Sequence, residues 1–146
     1  NKVLISTGAS KWDEIVSINS TFERYNPVLM HCVSSYPCDF SNINLLRLDK
    51  LKEISDEVGY SGHLTGIEDA LVAISKDISY VEKHFTIDKS LPGRDNEFAI
   101  LPNDLKKISD FRDKFNQMNL YHGLDLQDCE RDTYENYRGR WSGGVN

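Results

Sequence analysis

Two short stretches of this chain combine residue types and spacings that could do chemistry: Gly59-Tyr60-Ser61-Gly62-His63 and Glu82-Lys83-His84-Phe85. In each, a histidine follows a polar residue by two positions within an otherwise apolar run. Side chains at i and i+2 of a strand share a face, so Ser61 would project with His63, and Glu82 with His84. If the two strands are neighbours in one parallel sheet, both imidazoles meet at one end of it. Two histidines held that way, with oxygen ligands or water completing the shell, make a divalent-metal site.

Each signal has a plainer alternative. A lone histidine near a strand end is more often a hydrogen-bonded structural residue than a ligand. His31 reads that way, lying between Met30 and Cys32 with no second feature beside it, and His122 sits in a polar tail. A carboxylate in a buried strand must be paired, so Glu82 either orients a ligand, as carboxylates behind a metal site do, or bonds a neighbouring lysine. Ser6, Ser34 and Ser61 are either satisfied turn hydroxyls or donors to a phosphate or carboxylate, and no lysine or arginine is obviously placed to complete an anion site. Asp95, following Gly93 in a loop, is equally a solvated turn residue or a ligand.

The elements that must position these groups alternate. Val3–Ile5 is a short β-branched run, followed by a helix pattern through Trp12, Ile15, Val16, Ile18 and Phe22. Ser10 is its expected N-cap, Asp13 and Glu14 suit its N-terminus, and Asn26-Pro27 ends it. Val28–Val33 is apolar almost throughout, as expected of a strand buried on both faces. A second helix is expected over 42–54, a strand over 57–61, a helix over 66–75, a strand over 78–87, a polar loop over 88–98 and a helix from Pro102 to Met118. Strand-then-helix, four times over, implies a parallel sheet with right-handed crossovers. Four such units are half of a (β/α)8 barrel, whose functional groups sit at the C-terminal strand ends. Ser6-Thr7, Ser34 to Tyr36, Ser61 to His63 and Glu82 to Asp95 all fall there. The expected organisation is therefore a half barrel over 1–118 and a polar tail over 119–146, extended and carrying Tyr121, Tyr134, Tyr137 and Trp141 before it closes on Ser142-Gly143-Gly144.

At 146 residues the chain is long enough for one domain with its own core. A formal net charge of −6 argues against a nucleic-acid surface or a basic membrane patch. No apolar run approaches a membrane span and no signal-peptide pattern opens the chain, which begins without Met and reads as the middle of a domain. Cys32, Cys38 and Cys129 show no zinc spacing and are an odd set, which favours a cytoplasmic location.

Taken together, Ile5-Ser6-Thr7-Gly8, HCVSSYP (31–37), VGYSGH (58–63), EKHFTIDKSLPG (82–93) and Asp95 closely resemble the sialic acid synthase family, from about Lys2 to Ile108. These enzymes condense phosphoenolpyruvate with an N-acylated hexosamine to make a nine-carbon acidic sugar. The resemblance implies that His63 and His84 are metal ligands, for manganese first, with magnesium or cobalt as alternatives. It implies that Ser6, Ser34 and Ser61 contact phosphoenolpyruvate, that Tyr36 and Asp95 hold the sugar, and that Glu82 is catalytic. Ser34 replaces an asparagine of some members, and Gly62 an aspartate of many bacterial ones. It further implies an N-terminal half barrel, absent from this sequence, that supplies phosphate-binding lysines and acidic residues for proton transfer, so that this chain alone is inactive. The family forms homodimers through a small antifreeze-like domain, which no stretch of this chain resembles. Two readings compete with this one: a non-catalytic half-barrel partner or structural module, and another phosphoenolpyruvate-dependent aldol synthase. Legionaminic and sialic acid products are both open.

Overall fold

The computed structural model describes residues 2–139, which fall into two compact units divided between Asn116 and Gln117. The first is a parallel sheet of four strands in the order β1-β2-β3-β4, formed by Leu4–Ser6 (β1), Val28–Cys32 (β2), Glu57–Gly62 (β3) and Tyr80–Lys83 (β4). Helices Trp12–Phe22 (α1), Arg47–Leu51 (α2), Glu68–Ile74 (α3) and Pro102–Met118 (α4) follow the strands in turn. Each strand pairs with its sequence neighbour in parallel, as β-α-β connections require, and the register sets Ser61 opposite Glu82.

Strand alternation decides which side chains meet the helices. Ile5, Leu29 and Val58 pack against Ile15 of α1 and Leu51 of α2. Tyr60 joins Leu48, Leu64 and Ala73, and Val81 packs with Ala70, Ile74, Ile100 and Ile108. Ile15, Leu29, Leu48 and Leu51 are fully buried, each removing an apolar side chain from water at about 1.5–3 kcal/mol gained. Residues of the opposite alternation, among them Ser61 and Glu82, are left to the other face, and His63 and His84 continue their series past the strand ends.

Four expectations are corrected. Ser10 does not cap α1: its hydroxyl donates to the Gly8 carbonyl, and the cap position is Lys11, whose N–H donates to the Glu14 carboxylate at 2.7 Å. The helix expected over 42–54 is reduced to Arg47–Leu51, preceded by a 3-10 turn at Phe40–Asn42, because Asn44 takes a left-handed φ of 52° that no continuous helix accommodates. The strand expected over 78–87 is regular only across Tyr80–Lys83. Beyond it the chain pairs with a returning segment, the Ile100 N–H donating to the His84 carbonyl at 2.8 Å and the Thr86 N–H to the Ile100 carbonyl at 3.0 Å. In the second unit the tail is not simply extended: Asp128–Glu130 is a 3-10 turn leading into a short helix, Arg131–Asn136 (α5). Tyr121, Tyr134 and Tyr137 are exposed there, while Trp141 and Ser142-Gly143-Gly144 lie outside the described residues.

Candidate active site at the C-terminal strand ends

β3 and β4 deliver the two histidines side by side, with the His63 and His84 ring centroids 5.3 Å apart. Each ring has its Nδ1 turned toward an oxygen. His63 Nδ1 donates to the Val33 carbonyl at 2.8 Å, at the end of β2. His84 Nδ1 stands 3.5 Å from the Asp95 carboxylate. Since a carbonyl oxygen only accepts, the neutral His63 ring carries its proton on Nδ1, which leaves its Nε2 lone pair for a ligand. Among the described residues no third His, Cys, Asp or Glu joins them in a cluster able to hold an ion.

Tyr36 closes over the pair. Its ring lies 4.1 Å from that of His63 and 6.0 Å from that of His84. Phe98, buried where the 88–98 loop returns to the sheet, completes the aromatic wall 5.1 Å from His84. With Tyr36 half-exposed and His63 buried at 4%, the arrangement has a deep side and an open mouth. Two residues before each histidine, on the same face, the Ser61 hydroxyl donates to Glu82 Oε2 at 2.5 Å. Of the two roles expected for Glu82, pairing with a lysine is therefore not the one realised, and the neighbouring Lys83 points to the helix side instead. Glu82 is exposed rather than buried, because β4 is an outer strand of this sheet.

The ends of β1 and β2 bring in the remaining serines. Ser6 accepts the Gly8 N–H at 3.3 Å, and Ser34 sits so close to Gly8 that a Cβ there would overlap its hydroxyl. Cys32 Sγ lies 4.0 Å from Ser34 Oγ and 3.9 Å from His63 Nδ1, linking the serine end to the histidine end. Sequence reasoning found no cation for this region. Lys11 and Arg47 in fact line a depression of about 400 Å³ together with Ser10, Cys32 and Ser34. Arg47 escapes notice in the sequence because it belongs to α2, yet it reaches the Ser10 carbonyl at 3.2 Å. Val33 and Phe98 were also missed, for a similar reason: one acts through its backbone and the other through a loop's return path.

N,N'-diacetyllegionaminic acid synthase of Campylobacter jejuni is 35% identical over 113 residues, covering 73% of this chain and 34% of that protein. N-acetylneuraminate-9-phosphate synthase of Drosophila melanogaster is 35% identical over 112 residues, covering 73% of this chain and 30% of that protein. Among solved structures, the sialic acid synthetase of Leptospira borgpetersenii superposes with a TM-score of 0.80 at 32% identity, covering 94% of this chain and 50% of that one. The chain thus spans about a third of the length of the curated relatives it matches, and those relatives are nonulosonic acid synthases. The sequence model of the NeuB family matches residues 1–121, and the chain belongs to that family.

Proposed function

We propose that the complete protein condenses phosphoenolpyruvate with the open-chain aldehyde of an N-acyl hexosamine, releasing phosphate and forming a nonulosonic acid. On this reading the sheet is the C-terminal half of a (β/α)8 barrel. The observation that carries the proposal is the convergence of Ser61, Glu82, His63, His84, Tyr36 and Asp95 at one set of parallel strand ends, where barrel enzymes keep their chemistry.

The residues fit a divalent cation, manganese above all, with magnesium or cobalt as alternatives. Both imidazoles have Nδ1 turned to an oxygen, as histidines that bind metal through Nε2 do. With His63 and His84 as its protein ligands, the remaining positions of such a cation would fall to water and substrate oxygens. When bound, such a cation polarises the sugar aldehyde as a Lewis acid.

The rest of the work belongs to the chain's own groups. Carbon 3 of phosphoenolpyruvate forms a bond to the aldehyde carbon, water adds at carbon 2, and the C–O bond to phosphate breaks. Ser61, already a donor to Glu82, shares its hydroxyl between that carboxylate and phosphoenolpyruvate. Glu82 is placed to take the proton of the water that adds at carbon 2. Ser34 and Ser6 donate to the anion from the β1–β2 end, with Lys11 and Arg47 providing positive charge beside Ser34. Tyr36 packs on the sugar, and Asp95 divides its carboxylate between His84 and a sugar hydroxyl.

The test is phosphate release from phosphoenolpyruvate by the complete protein, with and without manganese, across a panel of N-acyl hexosamines and their 6-phosphates. Metal-dependent release with one sugar is expected, and it identifies the substrate. A folded protein that binds manganese and releases phosphate with none of them refutes the proposal.

A further inference from the structure

On the helix side of the sheet, directly behind the two histidines, lies a polar cluster that the proposed chemistry does not use. Lys83 and Asp69 form an ion pair at 3.0 Å with side chains only 4% and 0% exposed. Asp69, in the first turn of α3, also accepts the Tyr60 hydroxyl at 2.9 Å and the Ala70 N–H at 2.8 Å. Lys83 Nζ donates to both Asp69 oxygens and, at 2.8 Å, to the carbonyl of Leu64. Gly62 belongs to the same arrangement, since a Cβ there would overlap the Asp69 carboxylate and press on the Tyr60 ring and the Lys83 stem.

A buried ion pair is an inefficient way to stabilise a fold, because desolvation offsets most of its attraction and apolar side chains of equal volume often do as well. What this one does fix is a spacing. Lys83 is the residue before His84, and Leu64 is the residue after His63. A single ammonium therefore joins the backbone flanking one histidine to the backbone flanking the other. Because successive side chains alternate in direction, the tie lies behind the sheet while both rings stand on the front. Asp69 of α3 holds that ammonium and Tyr60 of β3 holds Asp69, so three elements are locked at the point where the rings emerge.

We infer that Tyr60, Asp69 and Lys83 are positioning residues that set the separation and orientation of His63 and His84. Their importance for metal binding rests on the proposed reading of that pair, but the positioning itself does not. Residues that orient ligands typically contribute about 10–100-fold to metal affinity.

The experiment uses the complete protein labelled with nitrogen-15 at histidine, metal-free, with ring resonances recorded for wild type, Tyr60→Phe and the neutral double variant Lys83→Met/Asp69→Leu. The double variant replaces the pair with apolar groups and leaves the Tyr60 hydroxyl and the Leu64 carbonyl without these partners, so thermal melting checks that the fold survives. The expected result is displaced or split ring resonances for His63 and His84 with His122 unmoved, and manganese affinity at least about tenfold weaker. A folded double variant with unchanged ring resonances and unchanged manganese affinity, whatever its melting temperature, would show a cluster that serves stability alone, and that result overturns the inference. If wild type binds no manganese yet the rings move, the metal reading fails and the positioning role stands. Should the double variant not fold, Tyr60→Phe decides: a smaller displacement of the same two rings supports the inference, and none refutes it.

Discussion

A histidine becomes a ligand through what its other nitrogen does, and at the residue scale this separates His63 from His31. Both are buried, but His63 gives its Nδ1 proton to the Val33 carbonyl and meets a second imidazole 5.3 Å away, centroid to centroid. His31 gives its Nε2 proton to the Ile43 carbonyl and has Tyr60 for its ring neighbour. In the complete protein, His63→Ala is expected to abolish metal-dependent phosphate release while leaving the fold intact, because the carbonyl of Val33 is at the sheet's end and can turn to water. Turnover and stoichiometric manganese are the two quantities to record. Unchanged activity with full manganese occupancy sinks the assignment. That His63 and His84 would meet was legible in the sequence, because the i, i+2 rule and parallel pairing are short-range facts. That Glu82 would bond Ser61 was not, since it depends on the register setting those two residues opposite each other. The Asp69–Lys83 pair was equally hidden: nothing in the sequence says that α3 returns an aspartate to the lysine beside His84.

At the scale of elements, the segment after β2 shows why periodicity alone overestimated a helix. Ile43, Leu45, Leu46, Leu48, Leu51 and Ile54 suggest thirteen continuous helical residues over 42–54, yet α2 is only the five of Arg47–Leu51. Asn44 takes the left-handed conformation, and the Ile43 carbonyl, free of any helix, accepts the His31 proton at 2.8 Å. Ile43, Leu48 and Leu51 are buried as the pattern demands while Leu46 is exposed at 72%, and a turn presents the buried ones as well as a helix does. The His31–Ile43 bond makes this connection sensitive to pH. Burial holds the imidazole pKa below its ordinary 6.5, outweighing the Ile43 carbonyl that favours the proton, and Arg47 adds to the depression. His31 Nδ1, moreover, is buried without a hydrogen-bond partner, so a second proton there has no acceptor. Above pH 6.5 neither folded nor unfolded chain protonates this ring. As the pH falls below that value the unfolded chain takes up a proton that the native one refuses, and stability is lost. Replacing His31 with glutamine keeps a donor for Ile43 and removes the titration. Urea midpoints of the complete protein at pH 7.5 and about pH 5 are expected to fall for wild type and to change less for His31→Gln. Equal falls in both would assign the acid sensitivity elsewhere.

At the scale of the whole molecule, the sheet is furnished on one side and bare at its margins. The helices cover the face that carries Leu29, Val58 and Tyr60. On the other alternation, the outer strands expose Leu4 at 47% and Tyr80 at 38%, and each of β1 and β4 pairs with only one neighbour among the described residues. Parallel sheets are normally covered on both faces, and an unpaired parallel edge is a template for association. The candidate-site end is uneven in the same way: serines, histidines and carboxylates converge, and Lys11 and Arg47 line the depression at its β1–β2 side. An anionic substrate carrying both phosphate and carboxylate would need more positive charge than that. On the proposed reading, four further βα units supply both the missing strands and the missing charge. The 146-residue chain alone is therefore expected to self-associate in sedimentation and to release no phosphate from phosphoenolpyruvate. Adding the complementary half of the barrel as a separate chain is expected to give a one-to-one complex and metal-dependent release. A monomeric 146-residue chain that turns over by itself would show that the four units already form a complete site, and the half-barrel reading would have to be given up.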